Sequence, residues 1–228
     1  GIRDDLEGLV GSEMCIRDRS YCHLSGDLFG WRSAPDGRLT MWVLDVSGHG
    51  VRAGFAAVIF KLILAETDPQ LSLTALAKDV ESRFIETRNP DDPGCIYATG
   101  VLLEIGPTGA VDYLSAGHPP IIVRRSSGAI ETFGSTAVPI ALVPEMETGS
   151  ASFGLDPGDA AVICTDGLLE LRNDAGEFFG LEHTIESIAA SDGSPCGIYD
   201  DLTRAVENFH ELDRLDDDLS FVAMRLRD

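Results

Sequence analysis

The sequence predicts an α+β fold in which two mainly antiparallel sheets pack face to face, each covered by helices. Three observations predict it. Apolar runs in the middle of the chain are joined pairwise by short turn signals, as in antiparallel hairpins. Stretches with helical periodicity come before and after those runs and do not alternate with them. The number of apolar strands also exceeds what a single sheet with one buried face would absorb.

The elements follow in order. Residues 1–19, "GIRDDLEGLVGSEMCIRDR", show neither sustained alternation nor a helical stripe. They read as a tail, a linker remnant or foreign sequence outside the fold, and "GSEMCIRDR" resembles translated sequencing-adapter read-through. A single domain is therefore expected over residues 20–228. "LTMWVLDV" (Leu39 to Val46) is a buried strand after an Asp36-Gly37 turn. "VRAGFAAVIFKLILAE" is apolar nearly all round, as in a helix buried on several sides. In "SLTALAKDVESRFIET", Leu73, Leu76, Ala77, Val80 and Phe84 recur at helical spacing behind Ser72, an N-cap residue type. "YATGVLLEI" turns through Gly106-Pro107-Thr108-Gly109 into "AVDYLSA", and "PIIVRR" through Ser126-Ser127-Gly128 into "AIETF". "DAAVICTD" is a further buried strand. Amphipathic helices follow near 181–190 and 198–212, and "LSFVAMRL" closes the chain.

Composition narrows the function. The 38 acidic residues against 17 basic ones give a formal net charge of −21, which repels nucleic acid and anionic membrane. The same surface suits hard divalent cations, which take carboxylate and carbonyl oxygens. The five cysteines (Cys15, Cys22, Cys95, Cys164, Cys196) are odd in number and form no CxxC pair, so free thiols in a reducing compartment are expected. The start of the sequence lacks a basic stretch leading into an apolar one, and the longest apolar run is interrupted by Lys61. A cytoplasmic location is expected.

The informative regularity is where the acids fall. Asp45 closes one apolar strand, Asp166 closes another, the run Asp216 to Asp218 stands before the last, and Asp27 precedes a fourth. An acid inside an apolar run is costly to desolvate, whereas one at a strand's mouth projects into a shared cleft. Several converging carboxylates must be relieved by protonation or cations, and oxygen-only ligands favour Mg²⁺ or Mn²⁺ over zinc. Two such ions can clamp a phosphate between them. A lone Asp-Gly, such as Asp36-Gly37, only makes a turn. Glycines beside the acids (Gly48, Gly50, Gly167) are expected to let backbone approach ions and substrate. His49 either orients a ligand or bonds backbone, and His118, at a strand end before two prolines, either faces the cleft or is structural. Cys164 reads as a small core residue and not a nucleophile. The Gly48-His49-Gly50 triplet lacks the third glycine and the lysine of nucleotide-binding loops.

With these residues assembled, the chain resembles the bacterial PPM-type (PP2C-like) serine/threonine phosphatases of the SpoIIE/RsbU group. The matching segments, in the family's order from about residue 24 onward, are "SGDLFGW", "LDVSGHGVRAG", "SAGHPPIIV", "CTDGLLELRNDAGEFFG" and "DDLSFVAMRL". The resemblance implies an αββα four-layer sandwich of two mainly antiparallel sheets flanked by helices. It implies two Mn²⁺ or Mg²⁺ ions and hydrolysis of phosphoserine or phosphothreonine without a phosphoenzyme intermediate. By motif position, Asp45 bridges both ions, the Val46 carbonyl adds a ligand, Asp166 and Asp217 hold one ion, and Asp27 binds or orients metal-bound water. It further implies a phosphorylated STAS-type anti-sigma-factor antagonist as substrate, and a sensor or receiver domain upstream in the full-length protein. One departure stands out. Where the family often reads GGDxYD, Gly30 replaces the second acid. That departure supports an alternative, a catalytically weak signalling module that binds a STAS or anti-sigma partner without turnover.

Overall fold

The computed structural model describes residues 12–19, 24–34, 36–88, 95–143, 145–210, 215 and 217–226. Asp216, Cys22 and residues 1–11, for which expectations were stated above, lie outside them. The chain divides into two compact units, each a five-stranded sheet with its own helices. The α+β class and the two antiparallel sheets agree with the sequence reading.

One unit contains the sheet β2-β3-β4-β5-β8 and helices α1 and α2. Its strands are β2 (Asp27–Ser33), β3 (Leu39–Val46), β4 (Ala98–Ile105), β5 (Ala110–Ala116) and β8 (Ala151–Gly154). β3 lies between β2 and β4 and is buried on both faces, which is why its sequence is continuously apolar and not alternating. The helix α1 spans Val51–Glu66 and α2 spans Leu73–Glu86. Ser72 caps α2 by accepting from the Ala75 N–H at 3.4 Å, and all five expected core residues of α2 are buried.

For α1 the expectation of burial on several sides is corrected. It packs on α2, β2 and β3 through Ala53, Ala56, Ala57, Phe60, Ile63 and Leu64, while Val51, Phe55, Val58 and Leu62 stand exposed on its other side. An apolar period cannot reveal whether a neighbour exists for every face it offers.

The other unit contains the sheet β1-β10-β9-β6-β7 and helices α3 to α5. Its strands are β1 (Ser12–Arg19), β6 (Ile121–Arg124), β7 (Ile130–Phe133), β9 (Ala160–Cys164) and β10 (Leu219–Leu226). The helices are α3 (Asp166–Leu169), α4 (Gly180–Ala190) and α5 (Pro195–Phe209). Along α5, Ile198, Leu202 and Val206 fall four residues apart and are fully buried, each contributing about 1.5–3 kcal/mol of transfer free energy at most.

The placement of residues 1–19 outside the fold is corrected for Ser12–Arg19. This segment is an edge strand that pairs antiparallel with β10 over its whole length. Met14, Cys15, Ile16 and Arg17 are all buried, so both faces of the strand are covered and no alternation shows in the sequence. On the α5 side, Cys15 meets Cys196 thiol to thiol at 2.7 Å, and Arg17 donates to the Thr203 hydroxyl at 2.5 Å. No helix among the described residues is long and apolar enough to cross a membrane.

Candidate functional site

The expected site residues divide between the two units. Asp27, Asp45 and Val46 belong to the first, and Asp166 and Asp217 to the second.

In the first unit, Asp27 opens β2 and Asp45 lies near the end of β3. The antiparallel register sets them directly opposite each other. Opposite positions on paired strands bring Cβ atoms to about 4.5–5.5 Å, where two carboxylates repel by about 3 kcal/mol at an effective dielectric of 20. A divalent cation between them reverses the sign of that interaction. Asp27 is 8% exposed, and its N–H donates to the Ser25 hydroxyl at 3.0 Å, which fixes the strand entry. The Val46 carbonyl passes close to Gly26. A Cβ placed on Gly26 would come within 3.0 Å of that oxygen, so only glycine leaves it uncovered.

The loop after β3 is tied down through Ser47. Its N–H donates to the Tyr97 carbonyl at 2.9 Å, and its hydroxyl accepts from the Tyr97 N–H at 3.1 Å. Gly48 and Gly50 both have positive φ, 86° and 77°, with open space where a side chain would go. The positive φ favours glycine at both positions. His49 is exposed in this loop. His118 is buried, with Nδ1 3.1 Å from the Thr99 hydroxyl, and Thr99 pairs directly with Asp45 across β3 and β4. His118 is therefore one residue removed from Asp45. Thr99 escaped the sequence reading because its partnership depends on strand register.

Gly30, the departure from the family pattern, has a packing cause. It lies opposite Trp42, and a Cβ at position 30 would fall 2.6–2.7 Å from the indole ring. Trp42 fills the space an acidic side chain would need.

In the second unit, β9 runs into α3 and places Asp166 at the first helical position, with Thr165 as N-cap. Thr165 locks this junction to the start of β10. Its N–H donates to the Ser220 carbonyl at 3.0 Å, and its hydroxyl accepts from the Ser220 N–H at 3.1 Å. Gly167 packs on the Asp218 carbonyl so closely that a Cβ there would overlap the oxygen. The close approach at Gly167 is thus to the backbone of Asp218. Asp217 is exposed, and its Oδ1 accepts from the Asp218 N–H at 2.8 Å. Cys164 is fully buried in β9. Burial, followed by the charge of Asp166, pushes its thiol up to about 12, so it is a protonated core residue as expected. A pocket of about 270 Å³ opens beside these acids, lined by Gly167, Glu170, Leu171, Arg172, His210, Leu215 and Asp217.

Among the described residues, no group of three His, Cys, Asp or Glu side chains forms a ready metal cage. What each unit carries is a partial, all-oxygen donor set of the kind hard divalent cations use: paired carboxylates and the Val46 carbonyl in one, and Asp166 and Asp217 at the ends of adjacent strands in the other. The donor chemistry fits Mg²⁺ or Mn²⁺.

The family of stage II sporulation protein E (SpoIIE) matches residues 35–227. The chain belongs to the SpoIIE family. Among characterised relatives, the phosphoserine phosphatase RsbP of Bacillus subtilis (strain 168) is 28% identical over 149 residues, covering 64% of this chain and 37% of RsbP. The chain thus spans little more than a third of that relative. Among solved structures, the SiaA-PP2C domain of Pseudomonas aeruginosa superposes with a TM-score of 0.80 at 14% identity, over 93% of this chain and 85% of that one. RsbX in complex with magnesium superposes with a TM-score of 0.73 at 15% identity, over 99% and 98%. These likenesses show that the SpoIIE-family chain has the PP2C-type phosphatase fold.

Proposed function

We propose that this chain hydrolyses phosphoserine or phosphothreonine on a protein substrate, using two Mn²⁺ or Mg²⁺ ions. Asp27, Asp45 and the Val46 carbonyl would hold metal from the first unit, and Asp166 and Asp217 from the second. The observation that carries the reading is the register that sets Asp27 against Asp45 in a chain of the SpoIIE family. Like charges directly opposite destabilise a strand pair, and a shared cation is the relief that this reading supplies.

Bound to these groups, the ions would supply Lewis acidity toward the phosphoryl oxygens and activate water at neutral pH. The residues of the chain position. The β2–β3 pairing fixes the spacing of Asp27 and Asp45. Ser47 holds the loop beyond Asp45 against Tyr97, and Thr165 and Gly167 set Asp166 and Asp217 on one junction. No side chain of the chain is required as a covalent nucleophile, in keeping with a protonated, buried Cys164.

The resemblance extends the proposal to a phosphorylated STAS-type anti-sigma-factor antagonist as substrate, acted on in the cytoplasm, with a sensor or receiver domain elsewhere in the full-length protein. That RsbP bears the name of a phosphoserine phosphatase supports the substrate class. The alternative, a catalytically weak module that binds a STAS or anti-sigma partner, is motivated by Gly30, where Trp42 leaves no room for a second acid, and the acids Asp27, Asp45, Asp166 and Asp217 weigh against it.

The test is Mn²⁺-stimulated release of phosphate from a phosphoserine protein or peptide, abolished by chelation and by Asp45→Ala. Turnover that persists in Asp45→Ala, or is indifferent to chelator, would overturn the assignment. Excess Mn²⁺ should also raise the melting temperature, by the equivalent of about 2.7 kcal/mol at a hundred times its dissociation constant.

A further inference from the structure

The pocket beside Asp166 and Asp217 carries a feature that metal binding does not explain. Arg172 and His210 line it together with the acids Glu170 and Asp217. Arg172 begins a tight turn in which Asn173 is the hub. Asn173 Oδ1 accepts from the N–H groups of Ala175 and Glu177 at 3.0 Å each, and the Asn173 N–H donates to the Glu177 carbonyl at 3.0 Å. The turn closes by a bridge between Arg172 and Phe178, and the Arg172 guanidinium lies 4.2 Å over the Phe178 ring. His210 donates from Nδ1 to the Arg172 carbonyl at 2.6 Å, anchoring the turn to the end of α5. Both Arg172 and Phe178 are exposed, and no ion pair engages Arg172 among the described residues.

Stacking on an aromatic face leaves an arginine's edge, with its fork of N–H donors, directed at solvent or a ligand, and it limits the rotamer freedom that binding would otherwise cost. A fork so prepared matches a carboxylate in bidentate fashion. Its setting makes this specific. In a chain of net charge −21, an acidic peptide meets repulsion on average, so a cationic group is needed where it docks. Arg172 is the arginine lining the pocket that also contains Asp217 and Gly167.

Resting on the phosphatase reading above, we propose that this pocket is a substrate subsite, in which Arg172 pairs with an acidic side chain flanking the phosphoserine of the protein substrate. Arg172 then sets sequence preference around the scissile phosphate, and Phe178 and Asn173 position it.

The experiment compares two phosphoserine peptides that differ only in carrying Glu or Gln at the positions flanking the phosphoserine. The wild-type protein with Mn²⁺ should favour the Glu peptide in kcat/KM by about tenfold or more, the usual worth of a charge-assisted pair. In Arg172→Gln this preference should collapse to near one, and Arg172→Lys should restore only part of it, because the charge returns without the fork. A wild-type protein indifferent to the substitution, or an Arg172→Gln variant that keeps the preference, overturns the subsite. If Arg172→Gln melts well below wild type, the same ratio is read in Phe178→Leu, where it should fall and not vanish; an unaltered ratio there counts against the proposal. If neither peptide is hydrolysed, the phosphatase reading fails, and the subsite is judged by fluorescence anisotropy of the labelled peptides. Tighter binding of the Glu peptide that is lost in Arg172→Gln upholds it, and equal binding overturns it.

Discussion

The two units place their acids by different means. In the first, Asp27 and Asp45 face each other because β2 and β3 pair in register, so each carboxylate is positioned by a ladder of backbone hydrogen bonds several residues long. In the second, Asp166 and Asp217 sit at a junction between elements, where Thr165 bonds to Ser220 and Gly167 rests on the Asp218 carbonyl. A ladder distributes its precision over many residues and tolerates a local change. A junction concentrates it in one or two contacts and does not.

The largest expected effect tests whether both sets serve one reaction. Asp45→Asn and Asp166→Asn should each lower kcat/KM on a phosphoserine substrate by about a thousandfold, since each withdraws a ligand worth several kcal/mol of charge stabilisation. A large loss in one variant and none in the other would make the units functionally unequal.

The next effect separates ladder from junction. Gly167→Ala should cost about 2–3 kcal/mol in urea unfolding, because its Cβ meets backbone that cannot move aside. Gly30→Ala should cost less, about 1–2 kcal/mol, because its Cβ meets the Trp42 side chain, which can shift. The same change would ordinarily stabilise a strand interior, so a gain in stability for Gly30→Ala would show that the indole is not held there. In a Trp42→Leu background, itself destabilised by the lost core volume, the added cost of Gly30→Ala should largely vanish.

The smallest effect lies in the second unit. Asp159 is buried there in the turn before β9. Burial alone would raise its pKa, but the Arg125 guanidinium at 2.8 Å and the N–H groups of Ser126 and Asp156 outweigh burial and hold it below the usual carboxylate range. A depressed folded-state pKa means stability that is present above the unfolded value, about 3.9, and lost as pH falls through the folded one. The wild type should therefore lose stability on acidification below about pH 4, and Asp159→Asn should lose less over the same range in a pH series of melting curves.

Much of the architecture was legible in local pattern. The stretch from Val51 to Glu66 is one helix, Ser72 is an N-cap, and the turns at Gly106 to Gly109 and Ser126 to Gly128 join antiparallel strands as expected. What escaped has a common cause. In the strand Ser12–Arg19, the consecutive residues Met14 to Arg17 are all buried and show no alternation. The exposed side of α1 mixes Val51, Phe55, Val58 and Leu62 with the charged Arg52, Lys61 and Glu66, so its apolar residues outnumber the charges that mark it as the outer face. The tie between His118 and Thr99, and the fit of Trp42 against Gly30, join residues far apart in sequence. The platform of Arg172 on Phe178 needs a turn whose hub, Asn173, is a residue type common in any loop.

The sequence by itself determined the order of the elements and the habit of placing an acid where an apolar run stops, because periods of 2 and 3.6 residues and the desolvation cost of a carboxylate are local matters. Which acid stands opposite which was decided only by the tertiary structure. Strand register is a property of two segments at once, and a slip of one residue would turn Asp45 to the other face of its sheet and part it from Asp27.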